Sequence, residues 1–254
     1  MSELMYYDLK ETDSLAHSTA VQVSREIGRR IVSGNYKPGD LIDDEVALGE
    51  RFSVSRSVVR DAVKILVGKG LLEVRRGIGT RVQERIKWGL LDNDVLAWHL
   101  SSPPDRGFIK QLMEIRLIIE PKAARWACES GRDKQLAEIE IAQTRMEEEQ
   151  ASIEDFVVAD ALFHRAIFRA SNNEIIRAME GIIFSALLSS IRLTNKDPRK
   201  NIESILFHRK VADAIIQRDA DKAEAMMESL LSDAGPVSYT HLRCRRSTLC
   251  RSRW

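Results

Sequence analysis

From Val21 onward, apolar residues recur at three- and four-residue spacing. Val23, Ile27, Ile31 and Val32 form one helical stripe, which Gly34 ends. Lys37-Pro38-Gly39-Asp40 reads as a turn. Asp43 or Asp44 is placed to cap a second helix through Val46, Leu48 and Phe52, and Ser53 and Val54 form a tight connection. Ser55 then caps a longer helix that turns Val58, Val59, Ala62, Val63, Ile65 and Leu66 inward. Two helices around a tight turn predict a helix-turn-helix. After Gly70 the period shortens to two. Alternating runs on either side of Gly77-Ile78-Gly79 predict a β-hairpin, the wing of a winged helix.

Trp88 to Leu100 has the spacing of a short helix with an aromatic seam, broken by Ser101-Ser102-Pro103-Pro104. From Phe108 to Leu231 only helical periodicity remains, with helices expected near 106–129, 133–150, 153–170, 174–194, 201–217 and 219–232. The expected fold is mainly α: an N-terminal winged helix-turn-helix with a small β-wing, then an all-α bundle. The expected division is a flexible lead at 1–18, a DNA-binding domain at 19–85, a linker at 86–104 and a helical effector-binding and dimerisation domain at 105–236.

Composition adds little until the C-terminus. Charged residues make up 30% and hydrophobic residues 44% of 254, an ordinary globular balance. No apolar run reaches membrane-spanning length, and Met1-Ser2-Glu3-Leu4 lacks the features of a secretory signal, so a cytoplasmic protein is expected. Residues 237–254 carry five arginines and two of the three cysteines, with no apolar period. Val237 to Leu242 resembles a translated transposon-end adapter, so this stretch is expected to be a non-native tail; the alternative is a basic nucleic-acid-binding tail. The remaining cysteine, Cys128, reads as a buried reduced thiol.

Without the tail, charge separates along the chain. Residues 46–87 hold ten Lys+Arg against four Asp+Glu, and residues 88–236 hold 19 against 25. A basic segment on an acidic body suggests a polyanion-binding part and a part with another task. Arg56 and Arg60, four apart, share one face of the helix that Ser55 opens, with Ser57 beside them. A helix entering the major groove reads bases with its N-terminal residues, and arginine can donate two hydrogen bonds to guanine. Arg75, Arg76, Gly77 and Arg81 make the wing basic and able to approach phosphates closely. Gly77-Ile78-Gly79 lies in a hairpin, not between a strand and a helix, and so is no dinucleotide loop.

In the bundle, Asp160 and His164 are four apart, and His208 lies on another helix. One carboxylate and two imidazoles suit a divalent ion; the alternative is a helix-surface hydrogen bond and a structural histidine. Arg116 with Glu120, and Arg192, are candidates for gripping a carboxylate; an intrahelical salt bridge is the alternative for the first pair.

The run from Ile31 to Val82 resembles the winged-helix domain of GntR-type bacterial regulators through Gly34, Pro38-Gly39-Asp40, Glu45, Leu48, Val54-Ser55-Arg56, Val59-Arg60, Gly70-Leu71 and Gly77-Ile78-Gly79-Thr80. The resemblance implies DNA contacts from Ser55, Arg56 and Arg60 on the recognition helix and from Gly77 on the wing. Val46 stands where many members carry arginine. The second half resembles the all-helical domain of the fatty-acid-regulator (FCD) subfamily through Arg116 with Glu120, Ala127, Asp160 with Phe163-His164, Ala170-Ser171, Asn173, His208 and Ala214-Ile215. Metal-binding members use an aspartate and three histidines. The third histidine position is Leu230 here, leaving Asp160, His164 and His208. LDNDVLAWHL and EIRLIIEPKAARWA resemble the sugar-acid-responsive members, which implies an aldonate or hexuronate effector, galactonate first. The expectation is a homodimeric repressor, released from operator DNA by a small carboxylate, and not an enzyme. A metal-dependent hydrolase or isomerase, and an architectural DNA-binding dimer without effector, remain as alternatives.

Overall fold

The computed structural model describes residues 18–102, 105–148, 152–194 and 202–233. The lead before Ser18 and the 237–254 tail lie outside the described residues, as does the side chain of Arg192. The chain divides into two units, one up to Gly107 and one from Phe108.

The first unit contains α1 (Thr19–Val32), α2 (Glu45–Phe52), α3 (Arg56–Gly68), β1 (Leu72–Arg75), β2 (Gly79–Val82), a 3-10 turn (Arg85–Lys87) and α4 (Asn93–Ser101). Asp44, not Asp43, caps α2 by accepting from the backbone N–H groups of Val46 and Ala47 at 3.0 and 2.9 Å. Asp43 instead pairs with Arg51 at 2.5 Å. Ser53, with φ +54°, ends α2 in the left-handed region and lets the chain reverse into α3 within three residues. The strands pair antiparallel, Leu72 opposite Val82 and Arg75 opposite Gly79. The wing tip turns through Gly77 and Gly79 at φ +77° and +117°, which glycine takes without strain. Leu41 makes one further bridge to Arg81, joining the turn before α2 to the wing.

The core of this unit joins Val23, Ile27 and Ile31 of α1 to Leu48, Val59, Leu66 and Leu72. Trp88, Val95 and Trp98 also belong to it, so the stretch expected as a linker at 86–104 supplies core residues. The physical reason is a close approach. A Cβ at Gly28 would sit 2.3 Å from the Trp98 ring, so only a glycine leaves α1 flat enough to seat the indole. Gly70, at φ +74°, likewise lets the turn after α3 meet the backbone of Lys87, where a Cβ would fall 2.0 Å from the carbonyl oxygen.

The second unit is a bundle of α5 (Arg106–Ser130), α6 (Asp133–Glu148), α7 (Ile153–Ala170), α8 (Glu174–Ala178), α9 (Glu180–Thr194), α10 (Ile202–Ile216) and α11 (Ala220–Asp233). The helix expected over 174–194 is two helices. Asn173 caps α8, and at Met179 the bonds tighten to i→i−3, Met179 to Ile176 and Ile182 to Met179, which breaks the α period. α6 packs on α7 and α10, α9 on α7, and α10 on α11. Phe163, Phe168 and Phe184 are the largest fully buried side chains of this bundle. Arg125 ties α5 to α11 through Asp221 at 2.6 Å and Glu224 at 3.1 Å, and Arg209 ties α10 to α6 through Glu140 and Glu147. Cys128 is buried, as its apolar setting in the sequence suggests. No helix among the described residues is long and apolar enough to cross a membrane.

Candidate nucleic-acid interface and metal centre

The start of α3 is built by its cap. Ser55 Oγ accepts from the Val58 N–H and lies 2.8 Å from Ser57 Oγ, so the two hydroxyls sit together at the helix N-terminus. Val59, Ala62, Val63 and Leu66 bury the opposite face. Burial of that stripe leaves Ser55, Arg56, Ser57 and Arg60 exposed. Arg60 is not a free cation. Its Nε and one terminal nitrogen lie 3.2 and 3.0 Å from the two carboxylate oxygens of Glu45. The hydrogen bonds from Arg60 hold the Glu45 carboxyl below its ordinary range. Glu45 is a partner that sequence reasoning did not assign. It is fifteen residues from Arg60, and only the folding of α2 onto α3 joins them.

On the wing, Arg75, Arg76 and Gly77 are exposed, and Arg75 pairs with Glu73 at 2.8 Å. A side chain at Gly77 would meet nothing within 4 Å, so the requirement for glycine there is its positive φ and not crowding.

The second candidate site lies inside the bundle. Ser152 starts α7 by accepting from the Asp155 N–H, and the helix then buries Phe156, Val157, Phe163, Ile167 and Phe168. That burial orients Asp160 and His164, one turn apart. His164 Nε2 lies 3.2 Å, and His208 Nε2 of α10 lies 3.1 Å, from the same oxygen, Asp160 Oδ1. The ring of Phe163 meets both imidazoles edge-on, with centroids 5.6 and 5.2 Å away. One ligand atom from each of Asp160, His164 and His208 lies within 4.8 Å of the others. The side chains of His164 and His208 are 2% and 5% exposed, whereas that of Asp160 is 16% exposed.

Arg116 and Glu120 of α5 complete the cluster from the other side. Arg116 Nε contacts Glu120 Oε1, and Glu120 Oε2 faces His164 Nδ1 at 2.5 Å, an ion-pair contact. Arg116 also lies 3.9 Å from Met113 Sδ. Both charged side chains of the pair are buried. Arg116, expected to grip an effector carboxylate, is thus occupied by a carboxylate of its own chain. Burial alone would raise the Glu120 carboxyl, but the charges of Arg116 and His164 outweigh it and bring it down to about 2. Burial likewise opposes charge on His164, but Glu120 and Asp160 on either side raise it to about 9. Asp160 is held well below the carboxylate range: burial opposes its charge, and the hydrogen bonds and charges of the two histidines prevail.

These residues fit a divalent ion by their chemistry: a carboxylate oxygen and two imidazole nitrogens converge, and one histidine has a carboxylate behind its other ring nitrogen. Leu230, the position at which the resemblance implies a third histidine in metal-binding members, is buried and supplies no ligand atom.

The model "Bacterial regulatory proteins, gntR family" matches residues 19–82, and the FCD domain model matches residues 111–233. The galactonate operon transcriptional repressor of Escherichia coli K12 is 32% identical over 209 residues, covering 82% of this chain and 91% of that protein. The chain belongs to the GntR family of bacterial regulators. The HTH-type transcriptional regulator LutR of Bacillus subtilis 168 is 32% identical over 212 residues, covering 82% of this chain and 95% of its own. A solved structure of Lar, which controls the Listeria monocytogenes agr system, shares the fold at a TM-score of 0.59 and 18% identity, over 86% of this chain and 95% of that one. As in other GntR-family members, the winged helix-turn-helix is the DNA-binding part, and the FCD domain is the part that takes a small molecule. These relatives are transcription regulators, which sets aside the reading as a hydrolase or isomerase.

Proposed function

We propose that this GntR-family protein is a homodimeric repressor of a sugar-acid catabolic operon in the cytoplasm, released from its operator by a galactonate-type carboxylate. The carrying observation is that one chain holds both an exposed helix opened by Ser55, Arg56, Ser57 and Arg60 and a largely buried Asp160-His164-His208 cluster. Similarity to the galactonate operon repressor supports the effector class.

Each part of the reading has residues behind it. Ser55, Arg56, Ser57 and Arg60 face the major groove, and Arg75, Arg76 and Gly77 follow the backbone from the wing. Asp160, His164 and His208 would hold a divalent ion. When bound, that ion supplies a Lewis-acidic anchor for a carboxylate and a neighbouring hydroxyl. A sugar acid entering beside Asp160 binds one state of the regulator better than the other, and this difference in affinity lowers the population that holds DNA. In this reading residues 19–85 bind DNA, and residues 105–236 bind effector and dimerise.

The test is anisotropy of a labelled promoter duplex with the full chain, with galactonate and a divalent ion added in turn. Tight, sequence-specific binding that galactonate reverses is the expected result. Binding that no sugar acid changes overturns the effector assignment. Equal affinity for promoter and scrambled duplex overturns the repressor reading.

A further inference from the structure

We propose that Ile78, at the tip of the wing, is a specificity-determining residue that enters the DNA minor groove and selects A·T over G·C pairs there. This rests on the reading above that the wing follows the duplex, and it adds a sequence-reading role to an element whose arginines contact phosphates.

The wing tip is narrow. β1 and β2 end at the Arg75–Gly79 pair, so only Arg76, Gly77 and Ile78 lie beyond it. The Ile78 N–H donates to the Arg75 carbonyl at 3.1 Å, which closes the turn. Gly77 and Gly79, on either side of Ile78, have positive φ and no side chain. A Cβ at Gly77 would meet nothing within 4 Å. Ile78 therefore stands clear at the end of the hairpin, 51% exposed. Leu41, 52% exposed, lies against the wing next to it, with Cδ2 3.7 Å from where a Cβ of Gly79 would be.

These apolar groups stand among cations. Arg75 and Arg76 are exposed at the same tip, and a basic hairpin is drawn to the phosphates that border the minor groove. Phosphate offers an isoleucine nothing. The groove between the phosphates does, because its walls are deoxyribose, and minor-groove proteins insert apolar side chains there. Burial of Ile78 against those walls removes its apolar surface from water.

The groove floor then decides the sequence. Both kinds of pair present acceptors in the minor groove, and a G·C pair adds the guanine 2-amino group, a projecting donor. Isoleucine has no acceptor to offer it. A G·C pair under Ile78 therefore buries an unpaired donor, a cost that an A·T pair does not carry.

The test uses the full chain and a duplex that it selects from a random-sequence pool, with binding read by anisotropy. Each adenine in turn is replaced by 2,6-diaminopurine, which adds the minor-groove amino group and leaves the major-groove face of the pair unchanged. In the wild type, replacement under the wing should weaken binding about tenfold, the scale of one wrong base pair. In Ile78→Ala the same replacement should cost less than about twofold. In Ile78→Asn, whose amide oxygen can accept from the added amino group, it should cost nothing or strengthen binding. A wild type indifferent to 2,6-diaminopurine at every position, or an Ile78→Ala protein with the wild-type profile, overturns the role of Ile78. Arg76→Ala separates the two levels. If it weakens binding while Ile78 fails these tests, the reading of the wing stands without this role. If Arg76→Ala changes neither affinity nor its salt dependence, the wing is off the duplex and both fall together.

Discussion

Arg60, on the reading helix, lies against Glu45, the first residue of the helix before it, with two nitrogens 3.2 and 3.0 Å from the two carboxylate oxygens. An arginine held in this way is oriented before DNA arrives, and both partners remain exposed, at 59% and 42%. Arg60→Ala should weaken promoter binding by about 1–3 kcal/mol, roughly 5- to 150-fold, and relax preference at one base position. It also leaves the Glu45 charge uncompensated beside the phosphates. Anisotropy against single-base promoter variants reads this directly. Unchanged affinity would remove α3 as the reading element.

Arg76 offers the contrast. It is exposed on the wing and suits a phosphate contact. Arg76→Ala should lower affinity for promoter and unrelated duplex alike, and reduce the slope of log affinity against log salt by about one. A loss confined to the promoter would mean that Arg76 reads sequence.

His164→Ala removes the imidazole that faces both Asp160 and Glu120. Effector-driven release from the promoter should be blunted, while promoter affinity without effector stays within about twofold of wild type. The check is a galactonate titration of the preformed complex. Full release by the variant would place the effector elsewhere.

His99 of α4 makes a pH prediction. It is buried, and burial, helped by the positive charge of Arg85, lowers its pKa to about 4, while an unfolded chain titrates near 6.5. Above about pH 6.5 the histidine is neutral in both states and carries no penalty. As pH falls from there toward 4, the unfolded chain takes a proton that the folded one refuses, so stability drops. The loss from this residue should reach about 2 kcal/mol at pH 5 relative to pH 7. Denaturant melts across that range should show it, and His99→Gln should flatten the slope. An equal slope in the variant refutes it.

The contact of Trp98 with α1 can be probed at Gly28. Gly28→Ala places a methyl group 2.3 Å from the indole ring, so the first unit should lose about 1–3 kcal/mol unless the ring moves. Thermal melts of the variant would show no change if α4 were a detached linker.

Much of this was readable along the chain because it rests on local rules. Ser55 as a cap, the apolar stripe from Val59 to Leu66, and the glycines of the wing are set by hydrogen-bonding chemistry, helical period and backbone freedom, all of which act over a few residues. The four-residue spacing of Asp160 and His164 was legible for the same reason. The break at Met179 was less so, because the apolar pattern runs through it and only the tightened turn divides the helix.

The sequence by itself determined the element types, the winged-helix and bundle architecture, and the residues with metal- and DNA-binding chemistry. Only the tertiary structure decided who meets whom. It brought His208 to the oxygen that His164 also faces, gave Arg60 to Glu45 and Arg116 to Glu120, and seated Trp98 on Gly28. Those pairings join residues on different helices or choose among competing partners. Their energies depend on burial and distance, which exist only once the chain has packed.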